Sequence, residues 1–156
     1  MVSSMGQFFI VLLHPFAASF TIWFILRQYG YRKKRKEVRG EEAKSVRENH
    51  ERAGELAVKL AIGVVLGGLV INALLDYENE GVMALFPSHV HGWFGLMGLT
   101  LFLFLARKGR ETKRLREAGE SFSMEMRRHS RAADVIILLM VIHAFLGFIY
   151  LFKLLA

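Results

Sequence analysis

Four apolar runs, each close to the length of a membrane-crossing helix, constrain this chain more than anything else in it. They are Phe8 to Leu26, Leu56 to Leu75, Val90 to Ala106 and Ala132 to Phe152, of 19, 20, 17 and 21 residues. A helix needs about 20 such residues to cross a bilayer core of roughly 30 Å. Hydrocarbon offers no water to the backbone, so each run has to satisfy its own amides and carbonyls as a helix. The expectation is an all-α integral membrane protein: a single domain over residues 1–156, folded as a four-transmembrane-helix up-and-down bundle with helices at about 7–28, 43–76, 88–108 and 126–154. Composition agrees, since 53% of the residues are hydrophobic, more than an ordinary soluble domain carries. The first run reads as a retained anchor and not a signal peptide. Its apolar part is too long, and its basic segment follows it instead of preceding it.

The formal charge of +7 raises the question of nucleic acid, and the placement of the charges answers it. Ten Lys or Arg lie between Arg27 and Arg52 and nine between Arg107 and Arg131, nineteen of the 21 in the chain. The opposite flanks, Met1 to Gln7 and Asp76 to Ser88, carry none, and the second holds Asp76, Glu78 and Glu80. This positive-inside bias predicts both basic loops in the cytoplasm or stroma, and both termini and the acidic loop outside, in a bacterial inner membrane or a thylakoid. The basic runs read as topology signals in contact with membrane lipid headgroups, with no nucleic-acid partner. The first of these loops is expected to open disordered and turn helical towards residue 43, where Glu48 with Arg52 and Glu55 with Lys59 form favourable pairs one turn apart.

The chain has no cysteine, which excludes thiolate-bound clusters and covalent haem attachment. It has six histidines, and their positions carry the functional argument. His129 and His143 lie on the last helix. Fourteen residues at about 100° each come within about 40° of whole turns, so both leave one face, roughly 21 Å apart along the axis. Ionisable groups at membrane depth mark functional sites, and two iron porphyrins, one above the other, would need this spacing. His14 stands roughly 20 Å from the basic boundary at Arg27, near the depth of His143. Pro15 follows it and is expected to bend the helix. His50 lies just before the second apolar run. His89 and His91 open the third helix. An H-x-H pair with no acidic or thiol partner at a fitting spacing supports a zinc site only weakly. His91 is a candidate second ligand or quinone contact, and His89 is assigned to the wet interface.

The halves of the chain repeat. His50-Glu-Arg-Ala-Gly-Glu-Leu matches His129-Ser-Arg-Ala-Ala-Asp-Val, Gly68 then matches Gly147, and His14 recurs as His91 at nearly the same interval. A hairpin duplication accounts for this and puts His50 and His129 at equivalent depths, on helices that can face each other across a bundle. Gly63, Gly67 and Gly68 offer either a close helix-packing face or room for a flat macrocycle. Asn72 suits either a bond across helices or a substrate contact. Arg47, Arg52, Arg127, Arg128 and Arg131 ring the level of His50 and His129, where guanidinium groups would neutralise haem propionates.

Histidines on helices 1, 2 and 4, with two on the last helix separated by thirteen residues, resemble the cytochrome b subunits of formate dehydrogenase and nickel-iron hydrogenase. These belong to the two-haem, cytochrome b561-like superfamily. The His-Pro and Arg-x-x-His patterns are similar to those of a small four-helix branch of unknown function in cyanobacteria and plastids. The resemblance covers the four helices, and the chain departs from the redox subunits in lacking a long extramembrane segment for docking a catalytic partner. It implies two b haems, His50 with His129 holding the one on the cytoplasmic side and His14 with His143 the outer one. The internal repeat supports a rival pairing of His14 with His91. The one-face geometry of His129 and His143 makes His14 with His143 the preferred assignment. The function so implied is electron transfer across the bilayer by a di-haem b cytochrome, an oxidoreductase linked to a quinol or small reductant, with a redox partner protein or a second copy as partner. The competing class is non-redox: a membrane assembly or scaffold factor, or a transporter in which Asp134, Glu55 and the histidines relay protons.

Overall fold

The computed structural model describes residues 4–155, and they form an all-α chain with no strand among them. The outermost residues, 1–3 and 156, lie outside the described part. α1 spans Ser4–Tyr29, α2 Tyr31–Glu37, α3 Gly40–Glu80, α4 Val90–Glu117 and α5 Ser123–Leu155. Four of them, all but α2, are long and apolar enough to cross a membrane. The chain is a multi-pass helical membrane protein by that measure, as the apolar runs predict.

Two features differ from the sequence expectation. The segment from Tyr31 to Glu37 is helical rather than disordered. Arg32 pins it to α5, bonding Asp134, the Ser130 hydroxyl at 2.8 Å and the Ser130 carbonyl at 3.0 Å. α4 runs nine residues past its expected end at 108, to Glu117. Its polar extension is held by Arg110 on Glu55 through two bonds of 2.7 and 2.6 Å and by Arg116 on Glu51 at 2.7 Å, both reaching across to α3. α1 continues as helix through Pro15.

The packing order is fixed by which helices touch. α3 packs on α1 and on α4, α4 packs on α5, and α1 reaches α5. α1 and α4 are not packed on one another, nor are α3 and α5, so these two pairs stand across the bundle. The buried core is small: Ala57, Val58, Phe102 and Ile136, with Phe24, Ile62 and Leu105 among the side chains against it. Many large apolar side chains instead face outward, as they must where the surrounding solvent is hydrocarbon. At the acidic end, Asn72 donates to the Ala84 carbonyl at 2.8 Å and ties the connection between α3 and α4 onto the bundle. Of its two sequence roles this is the bond between segments. Gly81 ends α3 at φ 57° and Gly119 follows α4 at φ 72°, left-handed turns that glycine takes without strain.

Candidate cofactor site

The histidines gather at two levels, one on either side of the small core. Ile136 lies midway in sequence between His129 and His143, and Phe102 midway between Gly95 and Gly109. At the basic end, His50 of α3 faces His129 of α5, with ring centres 6.4 Å apart and planes at 82°. At the acidic end, His14 of α1 faces His91 of α4 at 6.0 Å and again 82°. Both pairs join helices that stand across the bundle from each other. His143 does something else: its ring lies flat on that of His91, 4.2 Å away and 11° from parallel. The outer facing pair is therefore His14 with His91, the arrangement of the internal repeat, and His143 flanks it.

A glycine on a neighbouring helix makes room for each of these rings except that of His50. A Cβ on Gly68 would come within 2.9 Å of His14, one on Gly147 within 2.8 Å of His91, one on Gly109 within 3.2 Å of His129 and one on Gly95 within 3.3 Å of His143. Gly68 thus acts as room for a ring, while Gly63 and Gly67 face open space. His14 over Gly68 and His91 over Gly147 are the same contact in the two halves of the chain. Gly95 and Gly109 escaped the sequence reading, although Gly109 stands before His129 at the separation that Gly30 keeps from His50.

Hydrogen bonds orient the rings. His129 Nδ1 lies 3.0 Å from the Leu105 carbonyl and His91 Nδ1 3.3 Å from the His143 carbonyl, and His14 bonds the backbone of Val64. In each case the accepting residue is one helical turn before the glycine under the ring. A carbonyl only accepts, so Nδ1 of His129 and His91 carries the proton and Nε2 keeps its lone pair for a ligand. His50 and His143 have buried Nδ1 atoms with no hydrogen-bond partner. His50 is stacked on Tyr31 at 4.1 Å and 6°. His89 is stacked on Tyr150 at 3.7 Å, lies beside the Ser88 hydroxyl at 3.2 Å, and has its ring centre 6.3 Å from that of His91 with the planes nearly parallel. It is half-buried, and burial holds its imidazole below the ordinary range.

A cavity of about 1040 Å³ opens at the basic end and reaches His50 and His129. Of the arginines singled out in the sequence, Arg47 and Arg52 line it. Arg127, Arg128 and Arg131 do not; they are exposed on α5, with Arg128 bonded to Glu125 at 2.7 Å. Helical periodicity turns them away from the bundle. Arg32, Arg35, Arg110 and Arg116 line the cavity in their place, supplied by α2 and by the extension of α4. Arg47 Nε is buried there without a partner. Asp134 and Glu55, the acids of the proton-relay alternative, are engaged by Arg32 and Arg110.

Among the described residues no three His, Asp or Glu side chains converge as a self-contained metal site. Four of the histidines come in two facing pairs, and a porphyrin iron takes one or two axial donors from protein. No family model, curated protein or solved structure matches this chain.

Proposed function

We propose that this protein is a transmembrane b-type cytochrome carrying two haems, and that it passes electrons across the bilayer between a quinol or small reductant and a partner protein. The observation that carries this reading is the pair of cross-bundle histidine couples. An imidazole bound through nitrogen at about 2 Å, with roughly 1.1 Å more to its ring centre, puts two rings on opposite sides of one iron about 6.2 Å apart. The separations of 6.0 and 6.4 Å for His14 with His91 and His50 with His129 fit that figure, whereas 4.2 Å between His91 and His143 leaves no room for a metal.

The rest of the site is consistent with the same group. Helices across the bundle are not in contact, so a flat macrocycle can lie between its two ligands. Carbonyl partners on Nδ1 orient the imidazole and raise its donor strength, as second-shell partners of ligating histidines do. The arginine-lined cavity suits propionates at the basic end, Arg47 offering an unpaired buried nitrogen. When bound, haem would supply one-electron chemistry. The chain's own part is to hold the irons at two depths and keep water from them. We also propose that the two hairpins arose by duplication, since His14 with Gly68 and His91 with Gly147 make one contact twice. The positive-inside bias supports both basic loops in the cytoplasm or stroma.

A reduced-minus-oxidised optical spectrum of the purified chain, with a pyridine haemochrome assay, tests the reading. The expected result is a b-type spectrum and about two haems per chain. A chain that folds in membranes without any chromophore overturns it and favours the scaffold or transporter alternative.

A further inference from the structure

We infer that His50 is an exchangeable ligand, and that the site at the basic end binds a small neutral diatomic molecule, of the class of carbon monoxide, nitric oxide or dioxygen, at the metal position His50 otherwise fills. This rests on the haem reading above and goes beyond it, because electron transfer alone requires no open coordination position.

His50 differs from its three counterparts in how it is held. His14, His91 and His129 each bond a carbonyl and each sit over a glycine. His50 has neither support: its Nδ1 is buried without a partner, and its ring is stacked on Tyr31. The cause is local and visible in the chain. Gly30 occupies the position before His50 that Gly109 occupies before His129, but it lies at the junction of α1 and α2, and no atom of His50 comes within 4 Å of where a Cβ on it would stand. Removing such a second-shell partner weakens metal binding by about 10–100-fold.

A second observation gives the displaced ring somewhere to go. A cavity of about 710 Å³ lies between α1, α2 and α3, walled by Trp23, Phe24, Tyr31, Val46 and Ala53, with His50 in its lining. His129 stays anchored on the far side. With haem bound, His50 Nε2 would release the reduced iron, the incoming molecule would supply its lone pair in place of the imidazole's, and no electron or proton would be transferred.

The haem-loaded chain, reduced with dithionite and titrated with carbon monoxide, provides the test. About half of the haem absorbance should convert to the carbonyl form, and the conversion should persist in His14→Ala, which lacks the outer site. Ala53→Phe or Val46→Phe, filling the cavity, should weaken carbon monoxide binding by about tenfold or more while the spectrum without the gas stays unchanged. Two haems of which neither responds, a response abolished by His14→Ala, or an affinity unchanged in both cavity-filling variants would each overturn the exchange and leave the two-haem reading standing. A chain that binds no haem overturns both.

Discussion

His14 and His91 face each other across the bundle with ring centres 6.0 Å apart and planes at 82°, although they lie on helices that share no packed contact. The same perpendicular arrangement recurs for His50 and His129 at the other end. Two couples built alike at two depths set the terms of the experiments that follow.

The pairing is tested by substitution at each ligand position. His14→Ala and His91→Ala should each remove about one haem and leave the other, and His50→Ala and His129→Ala should each weaken or remove the remaining one. His143→Ala should retain both, with at most a shift in the outer potential. Haem counts and low-temperature spectra of the five variants distinguish the arrangements. Loss of the outer haem in His143→Ala but not in His91→Ala would restore the pairing of His14 with His143 favoured by helix geometry alone.

The glycines under the rings give a test that leaves every ligand in place. A methyl group on Gly68 or Gly147 would sit 2.9 or 2.8 Å from an imidazole carbon, closer than van der Waals contact allows, so Gly68→Ala and Gly147→Ala should tilt the ring and lower outer haem content. Gly63 has nothing within 4 Å, and Gly63→Ala is expected to leave haem content unchanged. Equal losses at all three positions would show a general folding defect and not a cradle.

Arg47 lines the same cavity as His50 and His129, with its Nε buried and unpaired. Arg47→Gln removes a positive charge that favours the reduced, less positive iron. The inner midpoint potential should fall, and an interaction of about 1 kcal/mol corresponds to roughly 40 mV for a one-electron couple. Redox titration of the two haems reads this directly. An unchanged inner potential would remove Arg47 from the propionate end of the site. Arg127→Gln, on the exposed face of α5, should not change it.

Membrane orientation is open to reporter fusions. A fusion after Lys36 or Lys113 should report the cytoplasm or stroma, and one after Glu80 the opposite side, because nineteen basic residues flank one end of the bundle. A cytoplasmic reporter at Glu80 would invert the proposed topology.

The sequence by itself determined the four spanning helices and the charge asymmetry of their ends. Both are local properties: hydropathy over about 20 residues decides a span, and charge placement needs no knowledge of neighbours. It also determined that His129 and His143 share a face of α5, since helical periodicity fixes the direction of a side chain about its own axis. Which histidine stands opposite another was decided only by tertiary structure. His143 and His91 both point inward, but α5 packs against α4, so their rings stack, while α1 lies across from α4 and brings His14 to His91. The repeat of His14 with Gly68 as His91 with Gly147 held this information in the sequence, but its meaning rests on contacts between helices. The arginines illustrate the same limit. Arg127, Arg128 and Arg131 neighbour His129 in the chain and point away from it, whereas Arg32, Arg35, Arg110 and Arg116 come to the cavity from other segments. Periodicity orients a residue within its helix, and only the packing of helices against one another chooses its partners.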